Sequence, residues 1–121
     1  MHPSEPESVI DAGVIAGLKE LGGDEDPGLY LEVIELFLDD AAQQIVNLRE
    51  AMARGDTRQL ERIAHTLKSS SANVGALRFS KLCFEIEQLG RCSDLAHAGS
   101  LVERAAVQYD QVKAALEAEK R

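Results

Sequence analysis

The apolar positions of the chain recur at helical rather than strand spacing. Ile10, Val14, Leu18 and Leu21 lie three or four residues apart behind Ser8, a candidate N-cap, and are closed by Gly22-Gly23, which predicts a short first helix. Asp26-Pro27 reads as the N-cap and first position of a long helix, with Leu29, Val33, Phe37, Ala41, Ile45, Leu48 and Met52 as its apolar stripe. Gly55 ends that helix, and Asp56 caps a third from Thr57 to Asn73, with Gly75 placed as its stop. Phe79, Leu82, Cys83, Ile86 and Leu89 mark a fourth helix ending near Gly90. After a turn at Cys92-Ser93-Asp94, the run Val102, Ala105, Tyr109, Val112 and Leu116 has the 3-4-3-4 seam of a last, long bundle helix. No period-2 alternation of β-branched residues competes. Short connections make successive long helices antiparallel neighbours. The expectation is an all-α fold, an antiparallel up-down four-helix bundle with a short additional N-terminal helix. Residues 8–121 form its single domain, behind a flexible tail at 1–7.

Composition narrows the picture. A length of 121 residues supports one core. With five aromatic residues and no Trp, that core is built mainly from Leu, Ile, Val and Ala, a palette suited to helix packing. No window approaches the roughly 18 apolar residues of a membrane span. The opening MHPSEPES lacks the basic start and apolar stretch of a secretory signal, so a cytoplasmic location is expected. Cys83 and Cys92 lie outside any CxxC spacing and read as reduced thiols.

The net charge of −8 argues against nucleic acid as the main partner, because phosphate backbones call for a basic field. The charge is uneven. Residues 54–81 carry Arg54, Arg58, Arg62, Lys68, Arg78 and Lys81 against Asp56 and Glu61, so this stretch is +4 and the remainder −12. Charge alone fits either a solvated helix face or a docking site for an acidic partner.

A helical wheel of the third helix separates these readings. At about 100° per residue, Leu60, Ile63, Leu67 and Val74 fall opposite His65, so the imidazole faces water. Arg58, Glu61, Arg62, Lys68, Ser69 and Ala72 lie within about 60° of it. Lys68, one turn on, can reach a phosphoryl group on the ring. Ser69 and Ala72 are small and leave a bare strip for another protein's approach. The neutral imidazole is nucleophilic and is plentiful near neutral pH.

The stretch AHTLKSSSANVGA, Ala64 to Ala76, resembles the signature of the histidine-containing phosphotransfer (HPt) family, His-x-Leu-Lys-Gly-Ser-(Ser/Ala)-x-x-x-Gly. His65, Leu67, Lys68, Ser70, Ser71 and Gly75 match it position for position, and LCFEIEQLGR, Leu82 to Arg91, resembles the family's next helix. The resemblance implies that His65 is the phosphoacceptor, through Nε2, that Lys68 offsets phosphoryl charge, and that Gly75 ends the helix. It further implies a monomeric phosphocarrier, not an enzyme, in a two-component phosphorelay. Its partners would be response-regulator receiver domains and/or a hybrid sensor histidine kinase. Arg58, Arg62, Ser69 and Ala72 would form the receiver-docking surface. This chain would need no cofactor or metal, with Mg²⁺ expected on the partner receiver. Two positions depart from the pattern. Glu87 stands where Gln is common, twenty-two residues after the histidine, and would orient the imidazole by accepting from Nδ1–H unless it is simply a solvated helix residue. Ser69 replaces the usual Gly at the docking strip.

Other chemistry finds little support. His2 sits in the tail and His97 has no Lys three residues on. Facing Glu-x-x-His pairs of a di-iron bundle, a G-x-S-x-G elbow and a glycine-rich nucleotide loop do not occur. The serious alternative is a helical adaptor that docks receivers without relaying phosphate; the retained His65 and Lys68 argue against it.

Overall fold

The computed structural model describes residues 9–120, which form five helices: α1 (Ala12–Gly22), α2 (Leu29–Arg54), α3 (Thr57–Asn73), α4 (Leu77–Arg91) and α5 (Leu95–Glu119). Helices α2 to α5 each pack on the next, α2 also packs on α5, and α1 lies against α2. The fold is thus the expected up-down four-helix bundle with one extra N-terminal helix. Among the described residues no helix is long and apolar enough to cross a membrane.

The stripes converge on one core, in which Ile34, Leu48, Leu60, Leu67, Phe79, Ile86, Val102 and Leu116 are almost fully buried. Truncating one of the larger members, such as Phe79→Ala, would cost about 3–5 kcal/mol through lost burial and the cavity left behind. Tyr109 reaches the same core and donates its hydroxyl to the Leu38 carbonyl at 2.9 Å, since a buried phenol needs an acceptor. Burial pushes the Cys83 thiol up to about 12, so it is an inert packing group.

Helix ends follow local chemistry. Asp56 accepts from Gln59 N–H and Asp94 from His97 N–H, at 3.0 and 3.2 Å, each occupying an otherwise orphaned donor. Gly55 closes α2 in the left-handed region at φ 67°.

Two boundaries differ from expectation. The Ser8 cap and the tail at 1–7 lie outside the described residues. The described start of α1 is Ala12, capped by Asp11, whose carboxylate accepts from Val14 N–H at 3.1 Å; Ile10 therefore precedes the helix, and Leu21 is 73% exposed rather than part of the apolar stripe. Asp26-Pro27 does not open α2 either. Leu29 N–H donates to the Asp26 carbonyl in a turn, and the helix starts at Leu29 behind Gly28 without a side-chain cap.

The junction of α3 and α4 matters most for the site. Gly75, at φ 82°, turns the chain; its backbone carbonyl accepts from Asp11 N–H at 2.8 Å, which fastens the segment before α1 onto this turn. Ser80 Oγ–H donates to the Lys68 carbonyl at 2.7 Å, a direct α4-to-α3 tie. At the other end Gly90 brings the backbones together: a Cβ there would lie 2.9 Å from Glu61 N and 3.1 Å from the Thr57 carbonyl.

Candidate functional site

His65 projects from the middle of α3 with 60% of its side chain exposed, while Leu60, Ile63, Leu67 and Val74 are buried on the opposite side, as the wheel requires. Glu87, from α4, is 2% exposed and is no solvated helix residue. Its Oε2 lies 2.8 Å from His65 Nδ1, and its Oε1 accepts from Lys68 Nζ at 2.8 Å. Arg91, one turn further along α4, donates through Nη2 to Glu87 Oε2 at 3.4 Å and through Nε to Glu61 Oε2 at 3.0 Å. A chain of alternating charge thus runs from Glu61 through Arg91 and Glu87 to Lys68 and His65.

Burial alone would raise the Glu87 carboxyl, but the hydrogen bonds from Lys68 and His65 outweigh it and hold the group below its usual range. It is therefore ionised at neutral pH and can only accept. Nδ1 of His65 must carry a proton toward it, which in the neutral ring leaves the lone pair on Nε2. No described residue bonds Nε2.

Lys68 does not stand free in water, as its surface position suggested. Its side chain is 28% exposed, paired with Glu87, and its ammonium sits 5.2 Å from the centre of the Phe84 ring. Arg58 and Arg62 are exposed and border, with Glu61, His65, Thr66, Glu87 and Arg91, an open depression of about 450 Å³. Ser69 is exposed and Ala72 half-buried, one and two turns beyond His65. All seven residues singled out from sequence therefore lie on or beside one face of the α3–α4 pair.

Three features escaped the sequence reading. The Glu61–Arg91 pair joins positions thirty residues apart, and only the close approach at Gly90 brings them together. Phe84 is 45% exposed beside Lys68, off the buried stripe of α4; that off-stripe position was the available signal. The burial of Glu87 also had no signal, because a charged residue in a helix is ordinarily solvated.

The fold and site define an all-helical bundle with a solvent-facing histidine, bonded from behind through Nδ1 to a buried carboxylate. The Hpt domain family model matches residues 32–120, and the chain belongs to that family. The crystal structure of histidine-containing phosphotransfer protein B from Pseudomonas aeruginosa PAO1 superposes with a TM-score of 0.86 at 28% identity, covering 94% of this chain and 96% of that one. Histidine-containing phosphotransfer protein 2 of Oryza sativa subsp. japonica is 35% identical over 98 residues, 77% of this chain and 61% of that protein. Its namesake in Arabidopsis thaliana is 27% identical over 103 residues, 83% of this chain and 66% of that protein. The chain spans just under two thirds of the length of these plant relatives.

Proposed function

We propose that this chain is a phosphocarrier of a two-component phosphorelay, exchanging a phosphoryl group between Nε2 of His65 and the aspartate of a receiver domain. The observation that carries this reading is the split fate of the two ring nitrogens. Nδ1 is committed to a buried, ionised carboxylate, and Nε2 is left with its lone pair on the protein surface. The names of the relatives support the same reading.

In the transfer step the Nε2 lone pair forms the N–P bond as the aspartyl O–P bond breaks, and the aspartate leaves as a carboxylate with the bonding pair. The Nδ1 proton stays on the ring, where Glu87 offsets the positive charge that phosphorylation creates. Lys68 faces the incoming negative charge, with Arg58 and Arg62 adding field and docking contacts. Ser69 and Ala72 leave room for the receiver backbone, and the exposed Phe84 offers it an apolar contact. The receiver, with its Mg²⁺, supplies most of the catalytic apparatus. Receiver domains and/or a hybrid sensor histidine kinase are the partners of this monomeric carrier, in the cytoplasm, a setting that suits the free Cys83 and Cys92.

Incubation with a phosphorylated receiver tests this directly. Label is expected to move to the chain as an acid-labile, alkali-stable phosphoramidate. A receiver that binds without passing label would make the chain an adaptor instead.

A further inference from the structure

Glu87 poses a charge problem that an amide at the same place would not. A carboxylate this deeply buried cannot be left unpaired without a large desolvation cost. Its closest cation is Lys68, at 2.8 Å, and the same ammonium must serve the phosphoryl group on His65. One lysine would then be shared between a carboxylate and a phosphoryl group, both negative. Arg91 stands ready as a second cation. Its Nη2 is at the long end of bonding distance from Glu87 Oε2, 3.4 Å, while its Nε is held at 3.0 Å by Glu61. The guanidinium fork has enough donors to keep Glu61 while closing on Glu87, which the point charge of a lysine cannot reproduce. The close backbone approach at Gly90 sets the end of α4 against Glu61 and so fixes the base from which Arg91 reaches.

We propose that Arg91, anchored by Glu61, is a positioning residue that takes over the Glu87 carboxylate when Lys68 turns to the phosphoryl group on His65. The inference rests on the phosphorelay reading. It explains how this chain can keep a carboxylate, and not an amide, buried behind the imidazole: the negative charge comes with its own exchangeable counter-charge. Arg91 acts through Glu87 and touches no reacting atom.

The test is a double-mutant cycle in single-turnover transfer from a phosphorylated receiver, comparing the parent, Arg91→Gln, Glu87→Gln and the double variant. The rate at saturating receiver should fall about tenfold in Arg91→Gln, as for loss of one charge-assisted bond, with receiver Kd unchanged. In the Glu87→Gln background the same substitution should change that rate less than about twofold, because no carboxylate remains to be held. Arg91→Lys should not restore the rate, and Glu61→Gln, which loosens Arg91 without touching Glu87, should slow it by a smaller factor. Nitrogen-detected NMR of unphosphorylated Arg91→Gln should still show a proton on His65 Nδ1, separating this role from collapse of the site. Equal slowing in both backgrounds, or an effect confined to receiver Kd, would overturn the proposal. A parent that accepts no label removes the phosphorelay reading and this inference together; label on His65 with additive effects removes only the inference.

Discussion

His65 and His97 both place Nδ1 2.8 Å from a carboxylate oxygen, yet the two regions are unlike in everything that surrounds that contact. His97 pairs with Asp94, the N-cap of its own helix, and both belong to the exposed start of α5. His65 pairs across two helices with a carboxylate whose side chain is 3% exposed and which also holds Lys68 and Arg91. Three residues on from His97 stands Ser100, where His65 has Lys68; four and seven on stand Leu101 and Arg104, where His65 has the smaller Ser69 and Ala72. A histidine–carboxylate contact therefore does not make a site. What sets the candidate site at His65 apart is burial of the acceptor, a second cation and open ground beside the ring.

The largest expected difference between the two regions is covalent. His65→Gln should abolish acid-labile label from a phosphorylated receiver, whereas His97→Gln should retain it in full. Label surviving His65→Gln, or lost with His97→Gln, would reverse the assignment. His97 lies at an exposed helix start, so urea unfolding should place His97→Gln within about 0.5 kcal/mol of the parent, whereas His65→Gln disturbs a partner of the buried Glu87 and should cost about 1 kcal/mol.

Much of this contrast could be read before the fold was known, because it depends on which way α3 faces. The apolar residues Leu60, Ile63 and Leu67 fix that face, and with it the exposure of His65 and the neighbourhood of Lys68, Ser69 and Ala72. The helix order was legible for the same reason, and so was the Asp56 cap, which follows from local hydrogen bonding; Asp94, expected only as part of a turn, is the N-cap of α5. The start of α2 was not: Asp26-Pro27 suits a turn as well as an N-terminus, and only tertiary packing decides. Nor was the acceptor side of the site. Glu87 is one acidic residue among many on a polar-looking helix until the bundle buries it, and the tie from Arg91 to Glu61 exists only because Gly90 lets two backbones meet.

Lys68 sharpens the comparison next, since His97 has no counterpart to it. Lys68→Ala should leave the fold intact and slow transfer to His65 by about tenfold, the low end of what a charge-assisted bond contributes, because the ammonium is shared with Glu87. Single-turnover rates at saturating receiver measure this. An unchanged rate would mean that the phosphoryl group is met by other cations, such as the Arg58 and Arg62 that border the same depression.

The two carboxylates should also differ in acid. The His97 hydrogen bonds hold Asp94 low, and Glu87 is held low by Lys68 and His65 against its burial. A depressed carboxyl contributes stability that is complete above its unfolded value, about 4.3 for Glu. That stability is lost as pH falls through the lower folded value. Glu87→Gln should therefore cost about 1 kcal/mol at pH 7, a charged hydrogen bond discounted for cations that face solvent. The gap from the parent should close as pH falls below about 4. Asp94→Asn should show a smaller gap throughout, because water replaces the lost partner at an exposed cap. Urea midpoints at several pH values would decide it, and equal gaps for the two variants would mean that burial of Glu87 adds nothing.

The smallest effect concerns the open strip itself, the feature that His97 lacks altogether. Ser69 is exposed one turn beyond His65, and the described hydrogen bonds of Glu87 and Lys68 do not include its hydroxyl, so a change there should fall on the docking strip and not on the charge network. Ser69→Gly should lower helix stability by a few tenths of a kcal/mol, Gly being the poorer helix former. The proton should remain on His65 Nδ1, because the Glu87 acceptor is untouched. What should change is the approach of the receiver: removing a hydroxymethyl group from the strip alters its affinity or its transfer rate by a factor of a few, in a direction set by whether that receiver fills the space or hydrogen-bonds the hydroxyl. Isothermal titration with two different receivers would show a change in their relative affinity. Identical ratios for parent and variant would restrict the docking role to the arginines and Ala72, and would leave Ser69 as a neutral replacement on a surface whose selectivity lies elsewhere.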